Sequence, residues 1–398
     1  MPEETQNLTI IGGGIMGLCT AYYASEFAQN ITILEKATIG ERNQAAASFS
    51  YTRSIRNDYL DPLYARLAYE ARKLWLELQS KATEPFILDC GCLNIAKESI
   101  THELNETYAS QSYNTLTGLH LKREAFTRET LQQRFPQFDA DIGRLDVEAG
   151  LLYVPVITQT LLALLKERNV SIMEGVHVKG VQQREKNLHI NTNVGELVTK
   201  KLVITAGLGT NDVLQCIDDC AIRFPLIPDR PSQCKYFIPP SEKRTMFTSD
   251  TLPVFAYLDV GIYGHPIYEG KTPGVKIGFY NPPDINRLNT RIHDVHSFVE
   301  ECIPALRDAD AVDVIDVDQC FYDLVADDNF ILGNIPGFST IHVGVGWRGT
   351  GYKFAPWVGR TLMQLALQGG TVYEISRFSP QRFVEQASIT SSINYRSF

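Results

Sequence analysis

The feature that most constrains the fold of this chain is a Gly-x-Gly-x-x-Gly pattern at residues 12–17. The pattern follows a β-rich run at residues 8–11, and residues 15–28 after it predict a helix. A second β-rich run comes next, at residues 31–34. A strand, a glycine turn, a helix and a strand within about 30 residues predict a βαβ unit whose two strands are parallel.

The three glycines have separate tasks in such a turn. Gly12 permits the tight turn, Gly14 lets the backbone approach a pyrophosphate, and Gly17 lets the helix pack on the sheet. Glu35 follows the second strand, where an acidic side chain can accept hydrogen bonds from a ribose. An acid at this position disfavours a 2′-phosphate, so the pattern predicts FAD or NAD rather than NADP. The alternative is a glycine-rich turn without a ligand.

Composition narrows the class of protein further. A chain of 398 residues predicts about two to three domains. The net charge of −9 argues against nucleic acid as the main partner, because that affinity comes largely from lysine and arginine neutralising phosphates. No apolar run approaches the ~18 residues that a membrane span needs, and the acidic, polar N-terminal residues are unlike a signal peptide. The eight cysteines have no secretory context, so a reduced, cytoplasmic protein is expected.

A pair of arginines, Arg53 and Arg56, follows the βαβ unit. If this piece is helical, the spacing puts both side chains on one side of the helix. A guanidinium binds a carboxylate through two parallel hydrogen bonds, so the pair is a candidate clamp for a carboxylate. The alternative is a solvated surface pair, which the spacing alone favours.

A second glycine-rich turn occupies residues 344–353 and follows a predicted strand at residues 341–345. It indicates another close approach of the backbone to a ligand, and a loop that is rich in glycine for packing reasons is the alternative. A helix is predicted at residues 355–367, where Gly369 stops it. Two interleaved domains explain these α/β pieces at both ends better than two consecutive ones, because a β-rich stretch at residues 222–285 separates them.

Five motifs then occur in a particular order. After the first glycine pattern come Thr-Arg-x-x-Arg at residues 52–56, Cys-x-Tyr at 320–322, Asp-x-Asn-Phe-Ile-Leu-Gly at 327–333 and Gly-x-x-Gly-x-Gly-Tyr-Lys at 346–353. This order resembles the monomeric sarcosine oxidase group of flavin amine oxidases, which includes N-methyltryptophan oxidase and belongs to the D-amino acid oxidase superfamily. The resemblance runs over nearly the whole chain and is thin only at residues 97–147.

The resemblance implies FAD as the cofactor. Cys320 falls where the family carries the cysteine joined to the flavin 8α-methyl group as a thioether, although in isolation this cysteine is more typical of a buried apolar thiol. Arg53 falls on an arginine beside the flavin ring, and Lys276 falls on the lysine that helps O2 react with reduced flavin. The second turn adds its own residues to the implied FAD site, namely Gly346, Gly349, Gly351 and Lys353.

The resemblance also implies residues that contact the substrate. Arg56 and Lys353 fall on the pair that holds the substrate carboxylate. Tyr263 falls on a tyrosine that lines the substrate cavity, and His265 beside it is a further candidate for the lining. A cationic clamp of this kind would place the reacting carbon toward the flavin, which is catalysis by positioning.

Several positions depart from the family pattern. Ser48 and Phe49 stand where members with small N-methyl substrates carry two histidines, and Tyr280 replaces another histidine. In the second turn, Arg348 and Thr350 replace a small residue and a histidine. These departures make sarcosine itself doubtful as the substrate, and they add Tyr280 and Arg348 as candidate substrate contacts. Arg348 could meet a second acidic group or donate hydrogen bonds to flavin oxygens.

The expected fold class is α/β, with a Rossmann-like FAD-binding domain interleaved with a substrate domain built on a mixed or antiparallel sheet. The FAD-binding domain is expected at residues 1–86, 148–221 and 322–390. The substrate domain is expected at residues 87–147 and 222–321.

The expected function is an FAD-dependent oxidase of a secondary or cyclic amine that bears a carboxylate. Such an enzyme forms an imine and reduces O2 to H2O2, with a small amino-acid-like substrate, no metal, no nucleic acid, no membrane partner and a monomeric state. The alternatives are a flavin dehydrogenase on the same scaffold, a biosynthetic tailoring enzyme for a larger amino-acid-derived substrate, and an NAD-binding or catalytically silent module.

Overall fold

The computed structural model describes residues 5–41, 47–101, 103–228, 233–279, 291–313 and 321–384. The strands are β1 (Leu8–Ile11), β2 (Ile31–Leu34), β3 (Thr52–Ile55), β4 (Ile87–Leu88), β5 (Cys92–Ala96), β6 (Arg123–Thr127), β7 (Ile142–Asp146), β8 (Gly150–Tyr153), β9 (Ser171–Met173), β10 (Val178–Arg184), β11 (Asn187–Thr192), β12 (Glu196–Thr199), β13 (Leu202–Ile204), β14 (Ile227–Pro228), β15 (Gln233–Ile238), β16 (Val254–Tyr257), β17 (Ile262–His265), β18 (Val275–Phe279), β19 (Asp310–Val312), β20 (Asp323–Leu324), β21 (Ile331–Asn334) and β22 (Ile341–Val345). The α-helices are α1 (Ile15–Ala24), α2 (Pro62–Gln79), α3 (Glu98–Thr101), α4 (Tyr108–Gly118), α5 (Arg128–Arg134), α6 (Val154–Glu167), α7 (Thr210–Gln215), α8 (Val295–Cys302) and α9 (Ala355–Met363).

The chain divides into two compact units. The described residues of 1–48, 158–229 and 321–398 form the first unit, and those of 49–157 and 230–320 form the second. The boundaries differ from the expected ones, since residues 49–86 and 148–157 fall in the second unit. Strand pairing accounts for part of this difference, because β3 and β4 both pair with β8 to form one small sheet.

The first unit is built on a six-stranded sheet in the order β21-β22-β13-β1-β2-β9. All its pairs are parallel except β21 with β22. Every residue of β1 and β2 is buried, as expected for parallel strands covered on both faces. The predicted βαβ unit is confirmed, although α1 ends at Ala24 rather than at residue 28. Helices α1 and α9 approach closely, since a Cβ on Gly359 would lie 2.5 Å from the Cys19 carbonyl carbon.

The second unit is built on an eight-stranded sheet in the order β19-β15-β18-β17-β16-β5-β7-β6. Neighbouring strands are antiparallel except β16 and β5, which are parallel. The expected mixed sheet is therefore confirmed. The region 97–147, where the resemblance is thin, contributes β6, β7 and helices α3 to α5. Phe138, Phe255 and Phe298 are buried in the apolar core of this unit.

Two helix ends agree with the sequence signals. In the sequence, Asp61 followed by Pro62 predicts a capped helix start. Helix α2 begins there, because Asp61 Oδ1 accepts a hydrogen bond from the Leu63 N–H (2.8 Å) and Pro62 takes the first helical position. After α9 the chain makes a wider π-helical turn over Gln364–Gln368, and Gly369 then ends it with φ of 78°. No helix in the described ranges combines the length and the apolar character needed to cross a membrane.

Candidate active site

The glycine turn between β1 and α1 accepts no larger residue at two positions. Gly12 has φ of 108°, and a Cβ there would lie 2.5 Å from the Thr205 carbonyl oxygen. A Cβ on Gly17 would overlap the carbonyl oxygen of Gly12 itself. The backbone of the turn is therefore folded tightly against the start of the helix and the end of β13, which matches the tasks predicted for these two glycines.

The N-terminus of α1 suits an anion. Its N-cap, Gly14, has extended backbone and no side chain to form a capping hydrogen bond, and no acidic residue occupies the first turn. Ser48 Oγ accepts a hydrogen bond from the Ile15 N–H at 3.0 Å. The positive end of the helix dipole therefore meets no negative side chain of its own first turn, as a pyrophosphate site requires. The sequence marks Ser48 only as a departure from the family, and its contact with the helix start was missed.

Glu35 lies directly against the turn. Its Oε2 accepts a hydrogen bond from the Gly13 N–H at 2.6 Å, and its Oε1 accepts one from the Ala37 N–H at 2.9 Å. A carboxylate has about four lone-pair sites, so Glu35 retains capacity to accept from ribose hydroxyls. The glycine turn, the helix start and this carboxylate together fit the adenosine and pyrophosphate parts of FAD.

The second glycine turn is anchored by a residue without an assigned role in the sequence prediction. Asp323 Oδ2 accepts a hydrogen bond from the Gly346 N–H (2.8 Å), and the Asp323 carbonyl accepts one from the Arg348 N–H (3.3 Å). Burial raises the pKa of the Asp323 carboxyl to about 6. Gly346 and Gly349 have φ of 81° and 69°, which glycine adopts without strain. The buried Asp323 carboxylate therefore fixes the backbone of this turn, in which Gly346 and Gly349 adopt left-handed conformations.

The two cations of this turn have different surroundings. Lys353 lies in the 3₁₀ turn Gly351–Phe354, is buried, and its Nζ donates to the Thr350 Oγ1 at 2.9 Å. Arg348 instead forms an ion pair, with Nη2 at 2.7 Å from Asp328 Oδ1. A neighbouring carboxylate thus compensates the charge of Arg348.

In the second unit, Arg53 lies on strand β3 and Arg56 lies just after it. A strand alternates its side chains between two faces, so the condition that a helix puts both arginines on one side is not met. Arg53 Nη2 donates to the Phe49 carbonyl at 3.0 Å.

Arg56 is half-buried among polar groups. Its Nη1 lies 2.6 Å from Asp58 Oδ1 and donates to the Tyr108 hydroxyl at 3.2 Å. Its guanidinium also stacks on the Tyr59 ring, 4.8 Å from the centroid. Burial lowers the pKa of Arg56, but Asp58 and the tyrosines raise it more, so the group stays charged. Nε and Nη2 donate to no residue in the described ranges, which leaves one edge of the guanidinium for a bidentate carboxylate.

Two further side chains contact the residues that follow this arginine, and the sequence prediction missed both. Asn94 on β5 donates through Nδ2 to Asp58 Oδ2. Asp146 on β7 accepts a hydrogen bond from the Asn57 N–H at 2.6 Å. Asn94 interrupts the otherwise apolar run at residues 92–96, and that was the only sequence signal for it.

One face of the large sheet carries three other predicted residues. Cross-strand register pairs His265 on β17 with Lys276 on β18, and places Tyr263 opposite Gly278. Lys276 is buried, and its Nζ donates to the Ser50 Oγ at 3.3 Å. A Cβ on Gly278 would overlap the Tyr263 ring, so glycine makes room for that tyrosine.

The imidazole of His265 lies beside the segment that precedes the arginines. Its Nδ1 lies 2.8 Å from the Thr52 Oγ1, and its ring centroid lies 5.6 Å from that of Tyr263. The structure thus brings Tyr263, His265 and Lys276 together within the second unit. Cys320 and Tyr280 lie outside the described residues.

The fold and the glycine turn define a dinucleotide-binding α/β protein. Residues 7–365 match the FAD dependent oxidoreductase family, so the chain belongs to that family and is an FAD-dependent oxidoreductase. The resemblance found in the sequence motifs is thereby confirmed.

Similar proteins match over nearly the full chain. Human peroxisomal sarcosine oxidase is 28% identical, covering 96% of this chain and 97% of its own length. N-methyl-L-tryptophan oxidase of Yersinia pestis (strain Pestoides F) is 23% identical, covering 95% and 99%. The solved structure of L-proline dehydrogenase from P. horikoshii has a TM-score of 0.78 at 19% identity, covering 96% and 99%. The last similarity supports the fold.

Proposed function

We propose that this protein is an FAD-dependent oxidase of a secondary or cyclic amine that bears a carboxylate, such as an N-methyl or imino amino acid. The observation that carries the proposal is Arg56, a half-buried and charged guanidinium whose Nε and Nη2 donate to no described residue. Relatives named for sarcosine and N-methyl-L-tryptophan support an N-substituted amino acid as the substrate.

The proposed roles follow from the chemistry of each group. Bound FAD would accept a hydride equivalent, which is two electrons and one proton, from the amine C–N unit. Arg56 binds the substrate carboxylate through two hydrogen bonds and Lys353 adds a second positive charge, which orients the amine. Tyr263 and Tyr280 line the substrate cavity. Because Asp328 compensates its charge, Arg348 is proposed as a hydrogen-bond donor rather than as the site of a second acidic group.

For the oxidative half of the reaction, we propose that Lys276 favours O2 as the electron acceptor. A buried ammonium stabilises negative charge that develops on oxygen, and Lys276 is buried beside Ser50. Arg53 is proposed beside the flavin ring. Rapid reoxidation of the substrate-reduced enzyme by air, with formation of H2O2, supports an oxidase. Slow reoxidation in air would favour the dehydrogenase alternative.

The clamp can be tested with matched pairs of acids and esters. Sarcosine, N-methyl-L-tryptophan and L-proline are mixed anaerobically with the enzyme, each beside its methyl ester, and bleaching of the flavin band is followed. We expect the acids to be oxidised in strong preference to the esters. Arg56→Ala should cost about 2–5 kcal/mol of substrate recognition, because it removes a desolvated charge partner.

Arg128→Ala is a matched control, because Arg128 belongs to the same unit but forms exposed ion pairs with Asp139 and Asp141. Its kinetics should equal those of the wild type. Equal oxidation of acids and esters, or unchanged kinetics in Arg56→Ala, would remove the clamp and with it the proposed substrate class.

We also propose that the flavin is joined to Cys320 as a thioether. The support is the Cys-x-Tyr motif in its family order. Acid-denatured wild-type protein should retain yellow flavin on the polypeptide, and Cys320→Ala should release it. Free flavin from the denatured wild type would contradict the tether without affecting the proposed reaction. The monomeric state and the cytoplasmic location stay predictions.

A further inference from the structure

Two buried carboxylates are linked to the segment of the proposed carboxylate-binding arginine: Asp58 pairs with Arg56, and Asp146 binds the neighbouring Asn57. Asp58 and Asp146 are each 1% exposed. Asp58 forms its ion pair with Arg56 and accepts further hydrogen bonds from Asn94 and Cys92. Asp146 accepts hydrogen bonds from Asn57, through the backbone N–H at 2.6 Å and Nδ2 at 3.4 Å, and from the backbone N–H of Glu148.

These groups are connected through three consecutive residues. Arg56 carries the positive charge, Asn57 binds Asp146, and Asp58 neutralises Arg56. If both carboxyls are ionised, the cluster holds two negative charges and one positive charge away from water. Burial and the neighbouring charge of Asp58 raise the pKa of Asp146 to about 7, as expected for a buried carboxylate beside a like charge.

The elements packed around Asp146 bring no other cation to it. On β5 its cross-strand partner is Cys92, whose pKa burial raises, so the thiol is neutral. On β6 its partner is Arg123, whose guanidinium donates instead to Thr117 and to the Leu121 carbonyl. After β7, Glu148 pairs with Lys122 at 3.6 Å. On α4, the Tyr108 hydroxyl contacts Arg56 and the Asp58 carbonyl.

We propose that binding of a carboxylate ligand to Arg56 is coupled to the uptake of one proton by Asp146. This inference rests on the proposed function, because it takes Arg56 as the carboxylate site. A ligand carboxylate adds a third negative charge around one cation, so Asp146 binds a proton from solvent as the ligand enters and returns it as the ligand leaves. No electrons move in this step. Linkage is reciprocal, so protonation of Asp146 strengthens carboxylate binding by the same factor.

The direction of the pH dependence follows from the charges. Below neutral pH, Asp146 is protonated and the cluster is neutral, so an anion binds well. As pH rises through the pKa of Asp146, about 7, the added negative charge weakens binding. The dissociation constant of a carboxylate should therefore rise about tenfold across this range and then level off.

The test uses the flavin-loaded enzyme and acetate, a carboxylate without an amine that titrates, with acetamide as the neutral analogue. Dissociation constants come from the flavin absorbance change between about pH 5.5 and about pH 8.5, the range that spans the linked titration. Proton uptake on acetate binding is measured with an indicator dye in weakly buffered solution. The wild type should take up protons near neutral pH with acetate, and none with acetamide.

Two variants isolate the carboxyls. Asp146→Asn keeps an acceptor for the Asn57 N–H, and it should bind acetate with no pH dependence in this range and no proton uptake. Asp58→Asn should move the dependence to lower pH, because the negative charge of Asp58 raises the pKa of Asp146. Glu269→Gln, in an exposed ion pair with Arg244 in the same unit, should retain the wild-type profile.

The outcomes separate this inference from the proposed function. If acetate binds no better than acetamide at any pH, the result contradicts the proposed carboxylate site and therefore also the coupling. If acetate binds preferentially but no proton is taken up, or if Asp146→Asn keeps the wild-type pH profile, the site stands and the coupling is overturned. Should Asp146→Asn fail to fold, the wild-type proton count alone decides.

Discussion

The glycine turn of the first unit and the Arg56 cluster of the second are suited to bind an anion in different ways. The turn presents backbone N–H groups at a helix start that carries no acid in its first turn, and its one carboxylate, Glu35, is held by two backbone N–H groups. The Arg56 cluster presents a full positive charge, but the buried carboxylate of Asp58 already compensates it. Backbone shape makes the first site, whereas side-chain charges make the second.

The two regions also differ in where their parts come from. The turn and Glu35 lie within one short stretch, residues 12–37, and need only a strand, a helix and a second strand in order. The cluster draws Asp58 from the chain next to Arg56, but Asn94, Tyr108 and Asp146 from β5, α4 and β7. Local spacing therefore identifies the first site, and it cannot identify the second.

The largest effect is expected from adding one methyl group to the turn. In Gly17→Ala the new Cβ would overlap the carbonyl oxygen of Gly12, and backbone cannot move aside as a flexible side chain can. The turn should open, and the purified protein should contain little or no FAD. The measurement is flavin absorbance per protein, with circular dichroism to verify folding.

The matched control is Gly370→Ala, in the same unit, where no atom lies within 4 Å of the added Cβ. It should retain full flavin content. Normal flavin content in a folded Gly17→Ala protein would show that shape alone does not determine the first site.

A smaller effect, on stability rather than on flavin, is expected from the cluster. Asp58→Ala leaves Arg56 half-buried without its ion-pair partner, which should lower the free energy of unfolding by about 3–5 kcal/mol. Denaturant unfolding measures it. Glu269→Ala removes a carboxylate from an exposed ion pair in the same unit and should leave the unfolding midpoint unchanged. If both variants changed the free energy of unfolding equally, burial of the charged cluster would not make its ion pair more important for stability than an exposed one.

The parts of the fold that the sequence predicted correctly are those with local signals. The β1-α1-β2 order, the Asp61 cap of α2 and the stop at Gly369 each depend on residues adjacent in the chain. The condition that Arg53 and Arg56 lie on a helix is not met, because the segment forms β3, which pairs with the distant strand β8. Closure of such a long loop leaves no trace in local spacing.

Candidate site residues divide in the same way. Gly12, Gly17 and Glu35 have the geometry that their motif predicts. Asp323 directly follows the Cys-x-Tyr motif, but its role in holding the second turn depends on the Gly346 N–H coming within 2.8 Å, which only folding decides. Asp146 lies in no motif, because its partner Asn57 meets it only when β7 is in place.

By itself, the sequence determined the family, the dinucleotide turn and the identity of the candidate cation Arg56. These depend on glycines, caps and residue types whose effects act within a few positions of the chain. The tertiary structure decided how that cation is charged and which of its edges is left for a ligand. Those properties depend on burial and on carboxylates from distant strands, and electrostatic energy depends on distance in space and on exclusion of water, not on separation along the chain.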